Sequence, residues 1–342
     1  MQYRRDIFLD FLKGMAILTV AAGHTLQSVG PNFDENLPFR VIYAFHMPMF
    51  IFVSGMVAAI TFSKRLTAGA NPSVFIDSLG RSASRLLIPF FAWAVVSFYF
   101  QQTTTNDLGR WLLLVVSQPD NALWFLWILF QCHSVLALAA AGLLAWHMGR
   151  STKVSPLRLV PLAFGAVLLL SFWPGSKLSS ISGIYLTRLL LPYFLAGVLF
   201  AMWRPAGISN AARLLAFALF VVLVPFWHRT EASPLVGYLP QVLHPRVYNA
   251  AFHYLVGFAG TLAFVEMARL IVQHAPARIV SAGAFLGRRS LDIYALHFYA
   301  LGWFPPVAAA VAFSIVGSAI LRTNPLTSRL FFGEWAAPPK AA

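Results

Sequence analysis

The sequence predicts an all-α protein, a polytopic transmembrane helical bundle, and three observations carry that expectation. Of its 342 residues, 59% are hydrophobic and only 11% charged, where a soluble domain carries about a quarter of its residues as charges. Apolar runs of about 20 residues, enough to cross the hydrocarbon core of a bilayer, recur along the chain and are separated by Gly, Pro and basic residues. Lys and Arg outnumber Asp and Glu by 25 to 11, and the cations fall into alternate loops. In a soluble protein such an excess would point to nucleic acid; beside apolar spans it marks cytoplasmic loops and the lipid surface, so no nucleic-acid partner is expected.

About ten spans are expected, near residues 7–27, 40–62, 86–102, 122–147, 157–173, 183–203, 211–227, 247–272, 290–304 and 306–321. The last two meet within "GWFPPVAAA", which reads as a re-entrant break or as a turn between two short helices. Loops carrying Arg4 and Arg5, Lys64 and Arg65, Arg81 and Arg85, Arg150 and Lys153, Arg204, and Arg288 and Arg289 all fall on one side of this arrangement. The positive-inside rule therefore expects both termini in the cytoplasm. The first apolar run is long and lacks a small-residue cleavage site, so it is expected to stay as the first span. Residues 1–342 read as a single integral membrane domain without internal repeats. The lone cysteine, Cys132, excludes an internal disulfide and a thiolate cluster. No metal site is expected, because the scattered histidines form no ligand spacing with a carboxylate.

Ionisable groups inside a bilayer are costly and usually face a bundle interior. The first span, "LDFLKGMAILTVAAGH", holds three of them. Lys13 and His24 are eleven residues apart, about three turns plus 20°, and so share one helix face about 16 Å apart along the axis. Asp10 precedes Lys13 by three residues, where a carboxylate can pair with the ammonium. Lys13 is thus expected in the inner leaflet and His24 near the outer one, although a lysine near a helix end can also snorkel to the interface. In "RVIYAFHMPMFIFVSG", His46 lies about 9 Å inward from Arg40, at a depth close to that of His24. It is either a second polar group in one site or a hydrogen-bonded structural residue. Ser54 and Gly55 further along permit close helix approach. Glu266 is a buried acid with Arg269 as its nearest salt-bridge partner. Asp292 and His297 are five residues apart and share no helix face, so they are not a dyad.

"RRDIFLDFLKGMAILTVAAGH", followed by "FHMPMFIFVSGM", resembles the start of the acyltransferase-3 family of integral membrane acyltransferases. The branch it is most similar to contains fucose 4-O-acetylase-like and exopolysaccharide or nodulation-factor acetyltransferases. The likeness continues through "RSASRLLIPFFAW", "ALWFLWILF", "RLLLPYFLAGVLF" and "FLGRRSLDIYALHF", from about Arg5 to Gly333. The resemblance implies O-acyl transfer, commonly of acetyl, from cytoplasmic acyl-coenzyme A to a hydroxyl of a cell-surface or lipid-linked carbohydrate. Acetyl-CoA would then be the donor co-substrate, and a bacterial inner membrane the location. In the family the basic residue and the histidine of the first span form the functional pair, which falls here on Lys13 and His24. A basic pair before the third span falls on Arg81 and Arg85, with three residues between them in "RSASR" where the family pattern leads one to expect two.

Acyl transfer to a hydroxyl needs a base for the proton and donors for the oxyanion. His24, Lys13 and Asp10 are the expected catalytic set, with His24 acting as base or, alternatively, as a nucleophile forming an acyl-histidine. Lys13, Arg81 and Arg85 are the expected contacts for the phosphates of coenzyme A. His46, Trp124, Asp292 and His297 are candidates for the acceptor side, Trp124 either stacking on a sugar or anchoring at the interface. The competing reading is a transporter or flippase of a lipid-linked saccharide or small anion. Transporters more often show related halves or matched broken helices, and the sequence shows neither.

Overall fold

A computed structural model describes residues 6–28, 30, 32–67, 73–100, 105–147, 182–203, 208–238, 244–301 and 306–334. Every regular element among them is helical: α1 (Ile7–Ser28), α2 (Leu37–Tyr43), α3 (His46–Thr67), α4 (Ser73–Phe100), α5 (Leu108–Ser117), α6 (Trp124–His147), α7 (Ile184–Trp203), α8 (Asn210–Leu223), α9 (Pro245–His274), α10 (Ala277–Arg288), α11 (Ser290–Leu296), α12 (Pro306–Leu321) and α13 (Pro325–Phe332). Short 3-10 turns at Phe33–Glu35, Val224–Phe226 and His297–Ala300 punctuate them.

Among the described residues, six segments are long and apolar enough to cross a membrane: Ile7–Ser28, Leu37–Phe62, Ser73–Phe100, Trp124–Gly142, Ile184–Trp203 and Pro245–His274. These coincide with six of the ten expected spans. The expected spans at 211–227 and 306–321 are apolar but shorter helices, and 157–173 lies outside the described residues. The stretch 290–301 is no continuous helix. The seven residues of α11 give way to a 3-10 turn, and Pro306, which lacks an amide donor, opens the next helix, α12. The third span begins at Ser73, well before residue 86, so that Arg81 and Arg85 stand within α4 rather than ahead of it.

The chain divides into two compact units, residues 1–53 with 203–317, and residues 54–202 with 318–342. The first unit is organised by α1 lying directly against α10. A methyl group at Gly14 would overlap the Gly283 carbonyl, and one at Gly287 would overlap the Asp10 carbonyl. Lipid removes most of the hydrophobic drive for helix association, so backbone approach at small residues is what such a crossing rests on. "GAFLG", Gly283 to Gly287, is that pattern, in a segment that the sequence, through Arg288 and Arg289, presents as a loop. At the other end of α1 a second cluster joins Phe39, Ala44, Val224, Trp227 and Val256, drawing α2, the Val224–Phe226 turn and α9 together.

In the second unit, Gly55 lies against the Phe194 carbonyl, the close approach expected from Ser54 and Gly55. Indole N–H groups make the remaining ties: Trp93 Nε1 donates to the Phe331 carbonyl at 3.0 Å, Trp111 Nε1 to Ala94 at 2.8 Å, and Trp127 Nε1 to Ser182 at 3.0 Å. Each satisfies a buried donor that apolar surroundings would otherwise leave costly.

Candidate active site

The C-terminal end of α1, the end expected to lie outermost, places His24 among rings from two other elements of the same unit. Its ring centroid lies 5.3 Å from that of His297, 4.6 Å from Phe298 and 6.2 Å from Tyr43. Tyr43 in turn lies 4.5 Å from His46. His24, His46 and His297, three separate expectations from sequence, therefore come together, with Tyr43 between the first two.

The hydrogen bonds orient these rings. A carbonyl can only accept, so the imidazole nitrogen facing it carries the proton. His46 Nδ1–H donates to the Ile42 carbonyl at 3.0 Å, and His297 Nδ1–H to the carbonyls of Ile293 and Tyr294, both at 2.9 Å. Each ring thus keeps a bare lone pair at Nε2, and that of His297 is fully buried without a hydrogen-bond partner. The single hydroxyl proton of Tyr43 goes to Gln27 Oε1, which leaves the phenol oxygen to accept from His24 Nδ1, 3.4 Å away. The same tautomer follows for His24, with Nε2 as the basic atom.

Toward the inner end, Asp10 is 8% exposed and its Oδ1 lies 3.2 Å from Lys13 Nζ, the i,i+3 pair expected from the spacing. Asp292, 1% exposed, repeats the motif with Arg289 at 3.1 Å. This pair holds the carboxylate on α11, directly ahead of the turn that carries His297. Glu266 is likewise paired: Arg213 Nε approaches it to 2.8 Å and Arg269 to 3.5 Å, so that its nearer partner is an arginine from α8 rather than the Arg269 expected from sequence.

The second unit carries the other candidates. Arg81 and Arg85 are one turn apart on α4 and both exposed. The four-residue interval puts their guanidinium groups on one face of the helix, so the departure from the family spacing preserves a paired surface. Trp124 begins α6, half-buried, with its ring edge-on to Phe125. Among the described residues no group of three His, Cys, Asp or Glu side chains is arranged to hold a metal.

Comparison with known proteins decides the family. A model described as an acyltransferase domain matches residues 6–331. The chain belongs to the acyltransferase-3 family. The acyltransferase-3 match runs through both units and includes every candidate residue named above. Two relatives are nodulation proteins NolL: that of Sinorhizobium fredii is 31% identical over 213 residues, 58% of this chain and 49% of the relative. That of Mesorhizobium japonicum is 26% identical over 229 residues, 64% of this chain and 54% of the relative. Both agree with the nodulation branch that the sequence resembles, and the chain spans about half the length of these curated relatives. No solved structure matches.

Three residues of this candidate site escaped the sequence reading: Tyr43, Gln27 and Arg229. Tyr43 and Gln27 had a usable signal, since Gln27 lies three residues after His24 on the same helix face and Tyr43 lies three before His46. Arg229 had none. It stands in the outer connector, 195 residues from the Asp34 carboxylate that accepts its backbone N–H at 2.8 Å. The same carboxylate accepts the Thr230 N–H at 2.9 Å and its hydroxyl at 2.7 Å. Burial alone would raise the Asp34 carboxyl; these three donors outweigh it and hold the group below the ordinary carboxylate range.

Proposed function

We propose that this protein is a membrane O-acyltransferase that moves an acyl group, acetyl in the simplest case, from cytoplasmic acyl-CoA to a hydroxyl of a cell-surface or lipid-linked carbohydrate. A bacterial inner membrane is the setting that this reading takes. The observation that carries it is the set of three imidazoles, His24, His46 and His297, each with its Nδ1–H committed and its Nε2 lone pair available. A saccharide hydroxyl is a donor that needs such an acceptor, and a reacting hydroxyl needs one that will take its proton.

His24 is the base. As the acceptor oxygen attacks the thioester carbon, His24 Nε2 takes the hydroxyl proton, and Tyr43 at Nδ1 steadies the imidazolium that results. Collapse of the tetrahedral species breaks the carbon–sulfur bond, and the imidazolium returns the proton to the leaving thiolate. His46 and His297 accept from neighbouring hydroxyls and orient the acceptor. Lys13 meets donor phosphate from its pair with Asp10, about 16 Å along α1 from His24, and Arg81 and Arg85 supply guanidinium contacts to the coenzyme A phosphates. Trp124 lends an aromatic face to the acceptor.

The test is release of free thiol from labelled acetyl-CoA by the purified protein in vesicles, with bacterial envelope glycans as acceptor, compared between the parent and His24→Ala. Release that depends on acceptor and on His24 is the expected result. Release that survives His24→Ala removes the base assignment, and absence of donor turnover with every glycan fraction removes the acyltransferase reading.

A further inference from the structure

The connector that follows α8 brings a second arginine to the rim of the imidazole cluster, and the two rim arginines are treated very differently. Arg40 is consumed by the fold: its Nη1 donates to the Pro225 carbonyl and its Nη2 to the Glu35 carbonyl at 3.0 Å. With the Asp34 bonds to residues 229 and 230, these ties stitch the Phe33–Glu35 turn to the outer connector. The backbone under Arg229 is therefore fixed. Its guanidinium lies over the face of Tyr43, 5.2 Å from the ring centroid, and is exposed.

The neighbouring Asp34 carboxylate does not neutralise it, since all three of its hydrogen bonds are to backbone N–H groups and a hydroxyl. Among the described residues no acid pairs with the Arg229 guanidinium. It is also the permanently charged side chain whose field reaches His24, His46 and Tyr43 together. A cation held by its backbone, stacked on an aromatic face and left with its planar fork unspent is arranged for an oxyanion.

We infer that Arg229 binds an oxyanion of the acceptor, a carboxylate or a phosphate, and so selects acidic or phosphate-linked saccharides over neutral ones. This deepens the proposed function and rests on its acceptor side. Tyr43 links the two positions: its ring lies under the guanidinium and its oxygen faces His24. An acceptor whose anion sits on Arg229 therefore presents a hydroxyl near His24 Nε2 at a fixed offset, which makes Arg229 a specificity-determining residue.

The experiment measures binding to the full chain in detergent, using a neutral oligosaccharide (maltotriose), a carboxylate one (trigalacturonate), a phosphate probe (geranyl diphosphate) and a cationic one (chitotriose freed of its acetyl groups). One anionic probe should bind at least about tenfold tighter than maltotriose, the scale of one charge-assisted hydrogen bond. Which of the two does so separates a uronate from a phosphate acceptor. Arg229→Gln should abolish the preference, Arg229→Lys should keep part of it, and Arg229→Glu should turn it toward the cationic probe. The last is a gain that a misfolded chain cannot produce. Equal binding of all probes by the parent, or an anion preference unchanged in Arg229→Gln, overturns the inference. His24→Ala keeps the preference while losing thiol release, so failure of the anion site and failure of the base assignment appear in different measurements.

Discussion

The two ends of α1 are held by different kinds of contact. At the inner end backbone meets backbone, with Gly14 against Gly283 and Asp10 against Gly287, and a buried acid closes on Lys13. At the outer end the contacts are between rings, His24 with His297, Phe298 and Tyr43. Glycine crossings have no side chain to turn, whereas imidazole and phenol rings adjust about their side-chain torsions. On the proposed function, the inner end is a fixed frame for a donor that is always the same, and the outer end is the more adaptable one, where an acceptor is fitted.

The largest effect expected from that difference is at the outer end. His24→Ala removes the base and should lower acyl transfer by about 10²- to 10⁴-fold, with little change in thermal unfolding because His24 is only half-buried. A loss of less than tenfold in a thiol-release assay would show that the proton goes elsewhere. The next largest is at the inner end, and there stability falls with activity. Gly287→Val drives a branched side chain into the Asp10 carbonyl and should destabilise by about 1–3 kcal/mol or more. Gly80→Ala, where an added Cβ meets nothing, is the control. Equal melting temperatures of the two variants in detergent would refute the frame.

Lys13→Ala gives a smaller and more selective effect: about a tenfold rise in KM for acetyl-CoA with a lesser change in kcat. The variant leaves Asp10 buried without its ion-pair partner, which alone costs stability. The informative comparison is therefore Lys13→Ala against the pair Asp10→Asn with Lys13→Ala, a double-mutant cycle that removes the orphaned charge. A KM restored in the double variant would mean that Lys13 serves Asp10 rather than the donor.

The difference between the ends also explains what the sequence could reveal. Hydropathy exposes long apolar helices directly, so six spans and the α1 face carrying Asp10, Lys13 and His24 were legible. His24 and His46 could be brought to one depth by counting residues. The inner frame was half legible, because Gly283 and Gly287 have the small-residue spacing but sit in a segment basic enough to pass for a loop. The pair of Asp292 with Arg289 was not legible, because a three-residue interval is equally compatible with a solvated pair. Arg229 was invisible, since its place depends on a loop-to-loop closure that no local period encodes.

That closure supplies the smallest expected effect and tests whether the adaptable end has a fixed rim. The folded-state pKa of Asp34 is depressed by its three donors. Its contribution is therefore complete above the unfolded value of about 3.9 and is lost as pH falls through the lower folded value. The group is partly exposed, so solvent screening keeps that contribution below about 1 kcal/mol. Asp34→Asn should speed amide exchange at Arg229 and Thr230 at neutral pH, and the difference from the parent should vanish once the parent carboxylate is protonated in acid. Equal exchange in the two proteins at neutral pH would leave Arg229 on a free loop, and an arginine on a free loop has no fixed offset from His24 with which to select an acceptor.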